Sequence, residues 1–333
     1  MISERLRRAG LGALLLLCGC AGSGPEPAPR DAPPDAQATF TVPDSALHQP
    51  LTLVAYGDMR FTDPANVTAT NPQARQALIG RIAAERPDAV FLGGDVPYIG
   101  GQVQDYAVFH QESAPWREAG LRVYPALGNH EFRDCAEADC LEHWWAEFPP
   151  LRGRRWYSVQ LGAQVYAIAL DSDASLLPGS AQQQWLAAQL AALPASVRFV
   201  LLWLHHPPLA DAQDAAHDAG DNARPNELAL RDQLDLAAAH SPARFLVVAA
   251  HIHNYERFQR GAVSYLVSGG GGARPSPVQR GADDLFQSAG FPNYHYVRLV
   301  LDGGRLRGTM VRLDDPAAPH WSEADRFELD AAP

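Results

Sequence analysis

Lysine is absent: the 27 basic residues of this 333-residue chain are all arginine. That excludes chemistry built on a lysine Schiff base and nucleotide sites that need a P-loop lysine. The four glycines at 269–272 are therefore no phosphate-cradling loop, because no Gly-Lys-Ser/Thr follows them. A Gly-x-Ser-x-Gly elbow is missing too, which removes the usual signature of a serine hydrolase. Positive charge is in short supply, with 38 acidic residues giving a net charge of −11 at pH 7. Such acidity argues against unaided binding to nucleic acid or anionic membranes, both of which reward clustered basic charge. The apolar run near the N-terminus is too short to span a bilayer. Cysteine occurs only four times.

What is present suits a large core: 47% of residues are hydrophobic and 20% charged. One main domain of layered architecture is expected. The N-terminus reads as an address, with Arg5, Arg7 and Arg8 before an apolar run and small residues around Cys20. Its "LCGC" resembles the lipobox of bacterial lipoproteins, in which Cys20 is acylated and becomes the mature N-terminus. With Ala21 after it, the resemblance implies a lipid-anchored protein of the bacterial cell envelope, at the outer membrane and facing the periplasm. An uncleaved anchor or a simply cleaved signal is the rival reading. Residues 1–20 are thus a signal segment, 21–48 a Pro- and Ala-rich tether, and 49–333 the folded domain. In an oxidising compartment Cys135 and Cys140 of "DCAEADC" are candidates for a local disulfide; a zinc site from one such pair is the weaker alternative.

From Leu51 onward one pattern recurs: an apolar, β-branched run that stops at a polar residue. The runs "LTLVAYGD", "DAVFLGGD", "RVYPALGNH", "QVYAIALDSD", "VRFVLLWLHH" and "RFLVVAAHIH" read as strands ending at Asp58, Asp95, His130, Asp171, His206 and His253. Helical patterns fill residues 72–85, 181–193 and 226–240. The alternation predicts an α/β fold with both sheet faces covered, followed after His253 by hairpins with a turn at Gly303 and Gly304.

Ligand-type residues at successive strand ends matter together. In α/β sheets the crevice beyond the carboxyl ends of the strands binds ligands, so Asp58, Asp95, Asn129, His205 and His251 can converge there. Two carboxylates, an amide and several imidazoles suit Fe, Mn or Zn, whereas calcium favours oxygen alone. A carboxylate bridging two ions about 3.5 Å apart lets the pair deprotonate a water and clamp an in-line displacement at phosphorus. Extended backbone over 251–253 would place His251 and His253 on one side of a strand, about 7 Å apart, one for each ion.

The motifs "YGDMR", "GGDVPY", "LGNHE", "LHHPP" and "AHIHNYER", in this order, resemble those of the calcineurin-like metallophosphoesterases. "GDVPY" and "HIHNYER", with the glycine turn "YLVSGGGGA", are similar to the purple acid phosphatase branch. The resemblance implies a four-layer α/β/β/α sandwich of two mixed sheets around two metal ions, iron paired with iron, zinc or manganese. Asp95 would bridge both, with Asp58, Tyr98 and His253 completing one site and Asn129, His205 and His251 the other. His130 would contact the phosphate and protonate the leaving oxygen, with Glu131 orienting it. His206 would be structural.

Two positions depart from the family pattern. Arg60 stands where most of these enzymes have a metal-binding histidine; Tyr98 compensates in the purple branch, and Arg60 holds a phosphate oxygen or makes a structural salt bridge. Ala250 replaces a common glycine. His217 lies in a polar loop and is a substrate-side candidate. Trp144 and Trp145 line a substrate wall or pack in the core, and Asp171 supports the site or closes a turn. The expected activity is hydrolysis of a phosphomonoester by dinuclear metal-bound hydroxide. A phosphodiesterase on the same site and a non-catalytic envelope-binding lipoprotein are the alternatives. The membrane is touched through the lipid alone.

Overall fold

The computed structural model describes residues 37–211 and 222–331. The signal segment with Cys20, most of the tether and His217 lie outside the described residues. In chain order the described elements begin with β1 (Phe40–Val42), β2 (Leu51–Tyr56), α1 (Pro72–Glu85), β3 (Ala89–Leu92) and α2 (Val103–Glu112). Next come α3 (Ala114–Glu118), β4 (Val123–Pro125), α4 (Glu137–Glu147), β5 (Tyr157–Leu161), β6 (Val165–Ala169) and α5 (Ala181–Ala191). The remainder is β7 (Phe199–Trp203), α6 (Pro225–Ala239), β8 (Arg244–Ala249), β9 (Tyr255–Arg260), β10 (Val263–Ser268), β11 (Tyr294–Asp302), β12 (Arg305–Asp315) and β13 (His320–Asp330). All six expected strands and the three expected helices are present. α1 starts where Asn71 caps the Ala74 N–H and Pro72 sets the first turn, and it stops at Arg86 in the left-handed region.

Two mixed sheets result, ordered β1-β5-β6-β7-β8-β10-β9 and β13-β12-β11-β2-β3-β4. Side-chain alternation explains why their central strands are apolar throughout. In β7, Phe199, Leu201 and Trp203 face one core, while Val200 and Leu202 face another, shared with Leu186 of α5 and Leu230 and Leu234 of α6. The first core lies between the sheets, where the rings of Phe91 on β3 and Trp203 on β7 stand 4.5 Å apart. It continues onto Leu78, Ile79 and Ile82 of α1, giving helices outside both sheets and the expected four layers.

Order begins earlier than the expected tether boundary. Phe40–Val42 pairs in parallel with Val159–Leu161, and the Asp88 carboxylate accepts hydrogen bonds from the backbone N–H of His48 and Thr52. Trp144 is fully buried against Phe148, and Trp145 donates to the Arg154 carbonyl, so both belong to packing rather than a substrate wall. Asp171 closes a turn and accepts from Arg155 Nε at 2.6 Å.

Cys135 and Cys140 are disulfide-bonded, with Cα atoms 5.7 Å apart, at the start of α4. So short a loop limits the gain: reduction, or Cys135→Ser, should cost about 2 kcal/mol. Thermal melts with and without reductant check this, and an unchanged midpoint would count against it.

Buried Glu256 on β9 accepts from the Asp211 N–H at 2.7 Å. Burial, helped by the charges of Asp211 and Asp284, pushes its carboxyl up to about 8, with the Asp211 N–H bond and then Arg280 opposing. A carboxyl raised on folding contributes stability that is present below its unfolded value and is lost as pH rises through about 8. The melting temperature should therefore fall between roughly pH 5 and 9 more steeply in the wild type than in Glu256→Gln. Parallel curves for the two proteins would exclude this origin.

Candidate metal centre

β2, β3 and β4 are parallel neighbours in one sheet, and β7 and β8 in the other, so their carboxyl ends open on one side. Asp58, Asp95, Asn129, His205 and His251 each follow one of these strands and meet there. The turns that deliver them are strained: Asp58, Arg60, Asp95 and His251 have φ of 61°, 49°, 54° and 70°. Non-glycine residues rarely occupy this region, and such strain concentrates at functional sites. Close approach needs glycine at position 128. A Cβ there would stand 2.6 Å from Asp95 Oδ1 and 2.9 Å from His205 Cγ. The Ala250 methyl fits because it faces glycine: a Cβ at Gly57 would fall 2.5 Å from it.

Four donor atoms form one group. His205 Nε2 lies 2.9 Å from Asn129 Oδ1, 3.1 Å from His251 Nδ1 and 3.3 Å from Asp95 Oδ1. The Gly93 carbonyl, 3.0 Å from His205 Nδ1, fixes that ring so that Nε2 faces the group. Burial, then the charge of His205, pushes His251 down to about 3, the neutral form a ligand needs. At Asp95 burial favours the acid, but the charges of His205, His130 and Arg60 outweigh it and hold the carboxyl well below the usual range.

A second pair stands beside it. His253 Nε2 is 3.5 Å from Asp58 Oδ1, and both atoms are buried without a hydrogen-bond partner. The Arg274 carbonyl takes the Nδ1 proton at 2.8 Å, leaving the Nε2 lone pair turned towards a carboxylate. Two acceptors facing each other in a buried place repel unless a cation lies between them. The donors present therefore fit metal binding. Among the described residues, Asp58, Asp95 and His205, and separately His205, His206 and His251, offer ligand atoms within 4.8 Å of one another.

Several expectations need correction. Residues 251–253 are not extended: β8 ends at Ala249, and the left-handed turn at His251 aims the two imidazoles. His206 has the structural contacts expected of it, its Nδ1 2.9 Å from the Ser172 hydroxyl, although its ring also stands 4.3 Å from that of His251. Glu131 does not orient His130. Its buried carboxylate accepts from the backbone N–H of Asp95, Val96 and Gly128 at 3.0, 2.9 and 2.8 Å, tying the two loops together. The Tyr98 carbonyl holds His130 Nδ1 at 2.5 Å, and the Tyr98 ring stands 5.4 Å from that of His130 and 4.8 Å from the Arg133 guanidinium. His130 Nε2 is 3.7 Å from Asp95 Oδ2, and burial lowers its pKa. Arg60 reaches the same oxygen through Nη2 and Nε at 3.2 and 3.3 Å. Asp173, an exposed residue in the turn after β6 whose carboxyl partial desolvation raises to about 6 against the charge of His205, is a neighbour that the motif pattern gave no reason to single out.

Residues 51–255, more than half of the chain, match the calcineurin-like phosphoesterase model, and the chain belongs to that family. Its fold is similar to purple acid phosphatase PPD1 from yellow lupin (Lupinus luteus) seeds, with TM-score 0.68 and 18% identity over 87% of this chain and 55% of that one. It thus spans little more than half of the lupin chain. A dimetal phosphatase from Danio rerio has TM-score 0.58 and 14% identity, covering 85% of this chain and 99% of its own. PhoD gives TM-score 0.59 and 14% identity, over 89% and 71%. Likeness at these identities shows the fold. No curated protein matches the chain significantly.

Proposed function

We propose that the protein is a metal-dependent phosphoester hydrolase of purple acid phosphatase type, acting on phosphomonoesters. The observation that carries this reading is the unpartnered, buried pair Asp58 Oδ1 and His253 Nε2 beside the four-donor group. Asp58, Asp95, Tyr98 and His253 would hold one ion; Asp95, Asn129, His205 and His251 would hold the other. The metals proposed are iron with iron, zinc or manganese. Bound there, the ions supply positive charge to phosphoryl oxygens and a water nucleophile at neutral pH.

The chain's own groups do the rest. Asp95 stays ionised and spans both halves. Carbonyls of Gly93 and Arg274 fix the tautomers of His205 and His253. His130, held through Nδ1 by the Tyr98 carbonyl, presents Nε2 to the site, and its lowered pKa suits it to give a proton to the leaving oxygen. The Arg60 guanidinium and the His130 imidazole converge on one side of Asp95, and the fixed charge of Arg60 favours the extra negative charge of a monoester.

A panel of monoesters and diesters at acidic and neutral pH tests the reading. Monoesters should be preferred, and Asn129→Ala should lower their turnover by about a hundredfold or more. Turnover unaffected by Asn129→Ala contradicts the proposal, and a diester preference replaces it with the phosphodiesterase reading. The proposal extends to location: acylated Cys20 would anchor the enzyme in the envelope, so Cys20→Ser should release it from the membrane fraction.

A further inference from the structure

The two halves of the centre are unequal. In the Asn129, His205 and His251 half, the donor atoms stand together with Asp95 Oδ1. The other Asp95 oxygen, Oδ2, which is the one left over for an ion in the Asp58 and His253 half, is held by Arg60 through two nitrogens. This is no loose surface pair. The Asp95 side chain is fully buried and that of Arg60 is 16% exposed. The Arg60 backbone is fixed as well, in the left-handed region: its N–H donates to the Asp95 carbonyl at 2.9 Å. Its own carbonyl accepts from Arg75 Nη1 at 3.3 Å. Arg75 is in turn buried and paired with Glu112 at 2.6 Å.

A proton on a histidine leaves when a metal arrives, but a guanidinium keeps its charge at every working pH. An ion entering the Asp58 and His253 half therefore meets a fixed cation already bonded to the shared carboxylate. Its entry requires the guanidinium to let go of Asp95 Oδ2. Once released, the fork of donors would suit a phosphoryl oxygen of a bound phosphate.

We propose that Arg60 is an internal counter-ion of the shared carboxylate, which makes the two halves load in order and couples the second ion to phosphate. The Asn129, His205 and His251 half fills first. The Asp58 and His253 half fills when Arg60 moves from Asp95 to phosphate, so the second ion and phosphate strengthen each other's binding by the same factor. The inference rests on the metal-centre reading above and concerns an arginine outside its ligand set.

Calorimetric titration of the chelator-stripped full chain with Zn²⁺, with and without inorganic phosphate, tests it. The wild type should show two unequal steps, with the weaker tightened about tenfold by phosphate. Asp58→Asn should remove the weaker step and leave the tighter. Arg60→Gln should tighten the weaker step about tenfold without phosphate and abolish the phosphate effect. Two equal wild-type steps, a phosphate-insensitive second step, or an unchanged second step in Arg60→Gln would each overturn the inference. The wild-type phosphate comparison decides it even if Arg60→Gln does not fold. Absence of any Zn²⁺ binding would instead overturn the metal-centre reading itself.

Discussion

Asp95→Asn is expected to lower kcat/KM for a phosphomonoester by about a thousandfold or more, with the fold retained. The substitution is chosen for its backbone. Asp95 has φ of 54°, and asparagine is among the few residues that tolerate this region. The carbonyl that remains can still accept the His130 N–H now bonded to Asp95 Oδ1 at 3.0 Å. What disappears is the carboxylate charge that faces His205 at 3.3 Å, Arg60 at 3.2 Å and His130 at 3.7 Å. Steady-state kinetics beside a thermal melt separates loss of chemistry from loss of fold. A folded variant within tenfold of wild-type activity would remove Asp95 from the centre of the account.

Glu131→Ala should instead act on stability, costing about 3–5 kcal/mol and roughly 10 °C in melting temperature. The wild-type carboxylate is fully buried and accepts three backbone N–H groups from two loops. Alanine strands all three donors where water cannot replace the lost acceptor. Activity should fall with the fold, since Asp95, Asn129 and His130 all sit on the loops that Glu131 joins. Glu131→Gln, which keeps one acceptor oxygen, should lie between. A residue that merely oriented His130 would cost activity and leave the melt unchanged, so the two roles are distinguishable.

The sequence made the strand ends readable for a physical reason. Strands covered on both faces, such as Phe199–Trp203 and Arg244–Ala249, must be apolar almost throughout, so the polar residue at which each run stops is conspicuous. That His205 and His251 follow neighbouring strands comes from the parallel pairing of β7 and β8. Local pattern carries no information about partners distant in sequence. The bond from His253 to the Arg274 carbonyl, the grip of Glu131 on Asp95 and Val96, and the hold of Arg60 on Asp95 all depend on which loops tertiary packing brings together. The left-handed turn at His251 was hidden for another reason: the residue continues an apolar run, and histidine gives no warning of a positive φ. β1 was illegible because three residues in a Pro- and Ala-rich stretch show no periodicity, and its order comes from pairing with β5.

The most direct test of the central claim is elemental analysis of the aerobically purified protein, followed through chelation. About two metal ions per chain should survive dialysis, and hydrolysis of p-nitrophenyl phosphate should vanish on chelation and return when metal is restored. An iron-containing centre that uses Tyr98 should also be coloured and bleach in Tyr98→Phe. A folded wild-type chain that holds no metal, or that hydrolyses the ester undiminished after chelation, would contradict the account.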